Sequence, residues 1–206
     1  MLSELDHRVK NILAVVSAVI QQTLEVGDSP ANFAKSIEGR IQAIAKAHSL
    51  LTHEGRGGAL LGAIVKTELA PYEGTPSRVT VIGGEVTLTP KAGMALAMAL
   101  HELTTNAAKY GALSAAEGQL SVSWDHIGGI NQPILRIVWL ETRGPAVQAP
   151  TRRGFGTTLI ERTLSHEFDA VVSREFLPAG LRCAIEMPLT NEVGYLGVRD
   201  LAPETI

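Results

Sequence analysis

From Ser3 to Val26 the apolar residues Leu5, Val9, Ile12, Val16 and Val19 recur at alternating steps of four and three. That spacing predicts an amphipathic helix with a bundle-type seam. Gly27 suits its C-terminal cap, and Asp28-Ser29-Pro30 supplies a cap and a proline start for the next helix. The second helix is predicted from Pro30 to Leu51, with Phe33, Ile37, Ile41, Ile44 and Leu51 as its apolar face. So short a connection makes the two helices antiparallel neighbours. Two helices bury little by themselves, so the hairpin is expected either to pair with a second copy as a four-helix bundle or to pack on the rest of its own chain.

The pattern breaks at Gly55-Arg56-Gly57-Gly58, which sets a boundary between a hairpin domain (1–56) and a second domain (57–190), with an irregular tail from 191 to 206. In the second domain a helix is expected from Ala59 to Leu69, ended by Pro71. Arg78 to Ile82 alternates like a half-buried strand and turns at Gly83-Gly84. Thr89-Pro90 opens a long helix. Gln119 to Trp124 and Ile134 to Glu141 are further alternating strands. A helix is predicted from Gly156 to Glu167, and Ala170 to Phe176 with Leu181 to Met187 form a hairpin around Pro178-Ala179-Gly180. Helices and mostly antiparallel strands mix without a βαβ repeat, which makes this an α+β sandwich with helices on one face of the sheet.

Polar positions interrupt this pattern where chemistry is expected. The long helix is rich in Ala, Leu and Met, yet in His101-Glu102-Leu-Thr-Thr-Asn106-Ala-Ala-Lys109-Tyr110-Gly111 it places a carboxylate, an amide and an ammonium at i, i+4 and i+7. On a helix these share one stripe. Either the stripe faces a ligand or metal, or it is a solvated surface; spacing alone leaves both open. On the first helix His7 stands about 200° round from Leu5, off the seam. Asn11, Ala14 and Ala18 continue its stripe. A neutral imidazole so placed has a free nitrogen for nucleophilic work, although a lone surface histidine is more often merely solvated. His48, His53, His126 and His166 have no partner at ligand spacing and read as structural or solvent-facing.

Composition narrows the field. The 206 residues are 45% hydrophobic and 19% charged with a formal net charge of −3, so neither nucleic acid nor an anionic membrane is favoured as a partner. The single cysteine, Cys183, has no companion for a disulfide or thiolate metal site, which fits a reducing compartment. No apolar run approaches the roughly 18 residues of a membrane span, and no signal-peptide pattern opens the chain. The expected setting is the cytoplasm, and the abrupt helical start suggests a piece of a larger protein.

Two further stretches carry polar chemistry. Gly154-Phe155-Gly156-Thr157-Thr158 directly precedes a helix, where glycines allow close approach and free amides favour phosphate. Arg152 and Arg153 add charge upstream. It is neither a Walker loop nor the dinucleotide fingerprint, and a plain turn has the same spelling. Trp139-Leu140-Glu141 ends a strand with a carboxylate that is by default merely solvent-exposed, or else able to accept a hydrogen bond from an exocyclic amine.

Together these stretches resemble the HWE group of bacterial sensor histidine kinases. The resemblance rests on His101 in the asparagine-rich box, on Trp139-Leu140-Glu141, on Leu5-Asp6-His7-Arg8-Val9-Lys10-Asn11 as phosphoacceptor segment, and on Arg153-Gly154-Phe155-Gly156-Thr157-Thr158 as glycine box. It implies a helical hairpin for dimerisation and phosphotransfer, followed by an α/β-sandwich, Bergerat-type domain that binds ATP with Mg²⁺. It further implies that His7 accepts the γ-phosphoryl group, with Asn11 or Asp6 orienting the imidazole. Glu102 is implied to orient metal-bound water or assist proton movement. Asn106 is the implied Mg²⁺ ligand, Lys109 the phosphate partner, Tyr110 a pocket wall and Glu141 the acceptor for the adenine amine. Gly154, Gly156 and Thr157 are implied to approach the phosphates. The implied partners are a response regulator, a sensor domain or protein outside this chain, and a second copy in a homodimer. One departure stands out: the family's Trp-x-Glu-x-Gly-Gly-Pro reads here Trp139-Leu140-Glu141-Thr142-Arg143-Gly144-Pro145. Arg143 leaves open an alternative reading, a phosphotransfer or docking module whose ATP site has decayed. An ATPase or chaperone of the wider GHKL group would leave His7 unexplained.

Overall fold

The computed structural model describes residues 17, 20, 30–53, 58–74, 78–129, 132–146 and 163–197. The second helix of the predicted hairpin is α1, Pro30–His53. It is followed by β1 (Ala59–Leu60), α2 (Leu61–Leu69), β2 (Val79–Gly83), β3 (Val86–Leu88) and the long helix α3 (Pro90–Lys109). After α3 come β4 (Gln119–Ile127), β5 (Ile134–Thr142), a helical stretch α4 (163–168), β6 (Val171–Leu177), β7 (Gly180–Pro188) and β8 (Gly194–Leu196). The predicted helices and strands of the second domain are present wherever they fall on described residues, with ends shifted by one to three residues.

The main sheet runs β2-β4-β5-β7-β6. Only its β2–β4 pairing is parallel, and α3 is the helix that carries the chain across between those two strands. The other pairs are antiparallel. A smaller sheet, β1-β3-β8, was not legible in the sequence, because its strands are only two or three residues long. It corrects the expectation of an irregular tail from Asn191, since Gly194–Leu196 pairs with β3.

Alternation decides which residues reach the core. On β5, Leu135, Ile137, Trp139 and Glu141 are all buried, and Leu120, Val122 and Trp124 are their counterparts on β4. Helix α3 starts as its sequence predicts: Thr89 Oγ1 accepts from the Ala92 amide at 3.2 Å and Pro90 occupies the first turn. It buries Leu96, Leu100, Leu103 and Ala107 in a core shared with Leu61, Ile64, Val65 and Leu69 of α2.

The hairpin helix α1 joins that same core through Ala47 and Leu51. Its buried face is Arg40, Ala43, Ile44, Ala47 and Leu51; of the predicted apolar face Ile44 and Leu51 are buried, Phe33 and Ile37 half-buried, and Ile41 alone is exposed, at 40%. Arg40 can join this face because it has an ionic partner on α3, described below. Close approach needs a small residue, and Gly93 of α3 provides it: a Cβ there would stand 3.1 Å from Leu51 Cδ2.

Exposed pairs add little. Arg136 of β5 donates to Asp125, its cross-strand partner, at 2.7 and 3.1 Å. That hydrogen bond and the neighbouring charge raise the guanidinium further above its already high range.

Gly83, at the end of β2, lies against the indole of Trp124, where an added Cβ would overlap ring atoms. Gly83→Ala is therefore expected to lower unfolding free energy by about 1–3 kcal/mol through overpacking. Gly129→Ala, in open space, should stay within about 0.5 kcal/mol of the parent. Urea denaturation of both variants checks this.

Candidate functional site

The polar stripe of α3 divides in two. Asn106 and Lys109 are exposed, and Tyr110, the C-terminal cap residue, is 72% exposed. Glu102, one turn earlier, is only 6% exposed. Helix α1 covers it, and its carboxylate accepts from Arg40 through Nε at 2.7 Å and Nη2 at 3.2 Å. The expectation of a stripe presenting Glu102, Asn106 and Lys109 together is corrected here: only the latter two face outward.

His101 turns elsewhere. Its Nδ1 lies 3.2 Å from Glu68 Oε2 on α2, and its Nε2 lies where a Cβ on Gly39 of α1 would approach to 3.3 Å. The histidine of the asparagine-rich box is thus a packing and hydrogen-bonding residue between α1 and α2. That agrees with its offset from the Asn106 stripe.

Beyond Tyr110 the chain is held in place by Glu141. The Glu141 carboxylate, 2% exposed, accepts from Trp139 Nε1 at 2.9 Å and from the Ala112 amide at 2.8 Å. Residues two apart on a strand share a face, so the Trp-x-Glu spacing is what lets the indole reach the carboxylate. Glycines keep this junction tight: a Cβ on Gly111 would overlap Glu141 Oε2, and one on Gly144 would stand 2.7 Å from Ala112 Cα. Trp139, Glu141 and Gly144 therefore fix where α3 ends, and with it the Asn106–Tyr110 face. A carboxylate oxygen has two acceptor sites, so Glu141 retains capacity for a further donor.

Arg143 is exposed and has φ +57°, the left-handed conformation that glycine adopts without strain. The substitution has kept the glycine's backbone shape and carries a side chain in an exposed position. Among the described residues no group of three or more His, Cys, Asp or Glu is arranged to hold a metal ion. An amide oxygen such as that of Asn106 nevertheless suits Mg²⁺, which usually takes one or two protein ligands and completes its shell with phosphates and water.

His7, Asn11, Gly154, Gly156 and Thr157 lie outside the described residues, as does Arg153. His126 and His166 are exposed, as expected. Sequence reasoning missed Arg40. Its only signal was its position in the 40-43-44-47-51 register, where an apolar residue would be expected. A cavity of about 360 Å³ lined by Gly62, Lys66, Gly83, Glu85 and Trp124 sits at the other end of the sheet. Its Trp124 pairs with Ile137, whereas Glu141 pairs with Leu120.

The sheet order and the long helix make up a histidine kinase fold, as likeness to solved structures shows. The structure of the Erythrobacter litoralis EL346 blue-light activated histidine kinase superposes with a TM-score of 0.65 at 18% identity, over 91% of this chain and 58% of that one. The histidine kinase domain of the same protein gives 0.60 at 13% identity, over 87% and 96% respectively. Sequence comparison is narrower. Residues 4–85 match the HWE histidine kinase family. A blue-light-activated histidine kinase of Brucella anthropi is 36% identical over 191 residues, 92% of this chain and 39% of that protein. Its counterpart in Brucella ovis is 35% identical over 202 residues, 98% and 41%. The chain belongs to the HWE histidine kinases, and it spans about two fifths of the length of these relatives.

Two stability changes follow from the lock and its neighbour. Glu141→Ala strands two buried donors, each worth roughly 1–3 kcal/mol, so it should destabilise by about 2–6 kcal/mol. Arg143→Gly removes left-handed strain and should raise stability by up to about 1 kcal/mol, net of the entropy glycine adds to the unfolded chain. Paired denaturant titrations would show both.

Proposed function

We propose that this chain is the catalytic core of a protein histidine kinase, which transfers the γ-phosphoryl group of ATP to His7 and then to an aspartate of a response regulator. The observation that supports this best is the exposed Asn106–Lys109–Tyr110 face, held at the end of α3 by the Glu141 lock. It is an open polar surface on a rigid support, in a family whose members are named kinases.

The residues divide the work on chemical grounds. Lys109 offers a mobile cation to the phosphates, and Tyr110 offers an aromatic wall. Glu141, through its remaining lone pairs, is the acceptor for the adenine amine, and Asn106 holds Mg²⁺ through its amide oxygen. When bound, the metal neutralises phosphate charge. His7 is the nucleophile, with Asn11 or Asp6 orienting its ring, and Gly154, Gly156 and Thr157 give close backbone approach to the phosphates. Phosphoryl transfer asks mainly for in-line positioning and charge stabilisation, which such a set supplies. The bond broken is between the γ-phosphorus and the bridging oxygen, which leaves with ADP; the bond formed is from phosphorus to the imidazole nitrogen.

The second reading is a docking module with a decayed site. Arg143 was its support, and an exposed side chain on a glycine-shaped backbone weakens it. Among the described residues no helix is long and apolar enough to cross a membrane.

Incubation with γ-labelled Mg-ATP should yield an acid-labile, base-stable phosphoprotein, and His7→Ala should abolish the label. Asn106→Ala should slow labelling by about 10²-fold or more, and Lys109→Ala should weaken ATP binding roughly 10-fold. Label that survives His7→Ala overturns the nucleophile. Failure to bind ATP at millimolar levels, with His7 still phosphorylated by a donor protein, favours the docking module.

A further inference from the structure

We infer that His101-Glu102 of α3 is the seat on which the phosphoacceptor hairpin docks, and that Arg40 is the positioning residue that fixes the hairpin against the nucleotide face. The inference rests on the kinase reading for what the docking achieves, but not for the docking itself.

The contact is specific in a way apolar packing is not. Arg40 and Glu102 each have side chains 8% exposed, so both charges have been taken from water and each depends on the other's placement. The planar guanidinium meets the carboxylate through two nitrogens, a geometry that restricts rotation and sliding of α1 over α3. One residue back on both helices, Gly39 meets His101, whose ring is tethered to Glu68 of α2. The two adjacent contacts allow one register. A one-residue slide of α1 would place Gly39 against Glu102 and Arg40 away from it, burying an unpaired carboxylate.

The seat is one helical turn from Asn106, about 6 Å along the axis. His7 precedes α1 in the sequence, so the way α1 is seated bears on the approach of His7 to a nucleotide on the exposed face. Glu102, with its oxygens accepting from Arg40, acts on turnover through the hairpin rather than by touching the nucleotide. That replaces the proton-handling role implied for it by family resemblance.

The test uses the full chain as wild type, Arg40→Met, Arg40→Lys, Glu102→Gln and the exchange Arg40→Glu with Glu102→Arg. Spin labels on Gln42→Cys and Glu117→Cys, both exposed, report the hairpin's position, and buried Cys183 stays unlabelled. Arg40→Met and Glu102→Gln should broaden the interspin distance distribution and lower autophosphorylation kcat roughly 10–100-fold, with ATP affinity within about threefold of wild type. Arg40→Lys, which keeps charge and stem but not the fork, should be intermediate and guards against simple loss of folding. The exchange should narrow the distribution again and recover most of the rate.

An ATP affinity that falls in step with kcat would place Glu102 in the nucleotide site and overturn the inference. So would an exchange that restores neither distance nor rate, or single variants that keep a narrow distribution and an unchanged or faster rate. The distances need no ATP. A wild type that does not autophosphorylate but shows the broad-then-narrow pattern would sink the kinase reading and leave the seat standing.

Discussion

The Glu141 carboxylate is the constraint on which the working face depends. It sits inside the protein yet touches two separate parts of the chain: the Trp139 indole on its own strand and the Ala112 amide just past the end of α3. A buried carboxylate is costly unless donors reach it, and here both oxygens are served. The surrounding glycines exist for this junction, because Gly111 and Gly144 leave no room for a side chain against Glu141 and Ala112. The exposed polar face thus stands on a polar joint between helix and sheet. A joint of this kind has direction, whereas an apolar contact at the same place would leave the helix end free to slide.

The same economy appears at the other end of the stripe. Arg40–Glu102 is a second buried ionic joint, and it ties α1 rather than the sheet to α3. Buried pairs of this kind contribute little net stability compared with well-packed apolar residues, but they restrict geometry. Placed about 6 Å apart along α3, the covered Glu102 and the open Asn106 divide one helix face between docking and binding. The helix can serve both because consecutive turns face the same way while the neighbouring helix covers only one of them.

Much of this was legible in the sequence. The strands β2, β4, β5, β6 and β7 are nearly those that alternation predicts, and α3 begins at the predicted Thr89-Pro90 cap. Trp139 and Glu141 stood out, as did Asn106 and Lys109. What failed has identifiable causes. Helical periodicity says which residues share a stripe but not where a neighbouring helix ends its cover, so Glu102 was grouped with Asn106. The apolar face of α1 was expected to include Ile41 and not Arg40, because hydrophobicity scores each residue alone and the carboxylate that pairs with Arg40 lies 62 positions away. The strands of the small sheet are too short to show alternation, and their pairing is fixed by partners distant in sequence, Val86 with Leu196 among them.

Arg143 shows how a substitution can break a motif's spelling and keep its mechanics. In Trp-x-Glu-x-Gly-Gly-Pro the first glycine can serve two purposes: a left-handed backbone, or clearance for whatever lies beside it. At φ +57° the backbone purpose is retained, at the modest strain a non-glycine residue bears there. Clearance matters only if the side chain turns inward, and Arg143 is exposed. The second glycine, Gly144, is the one with no space, since a Cβ there would stand 2.7 Å from Ala112 Cα. The two positions are therefore unequal. The glycine that the junction cannot lose is the one this chain has kept, so the departure bears on local strain and surface charge rather than on the lock that holds the Asn106 face in place.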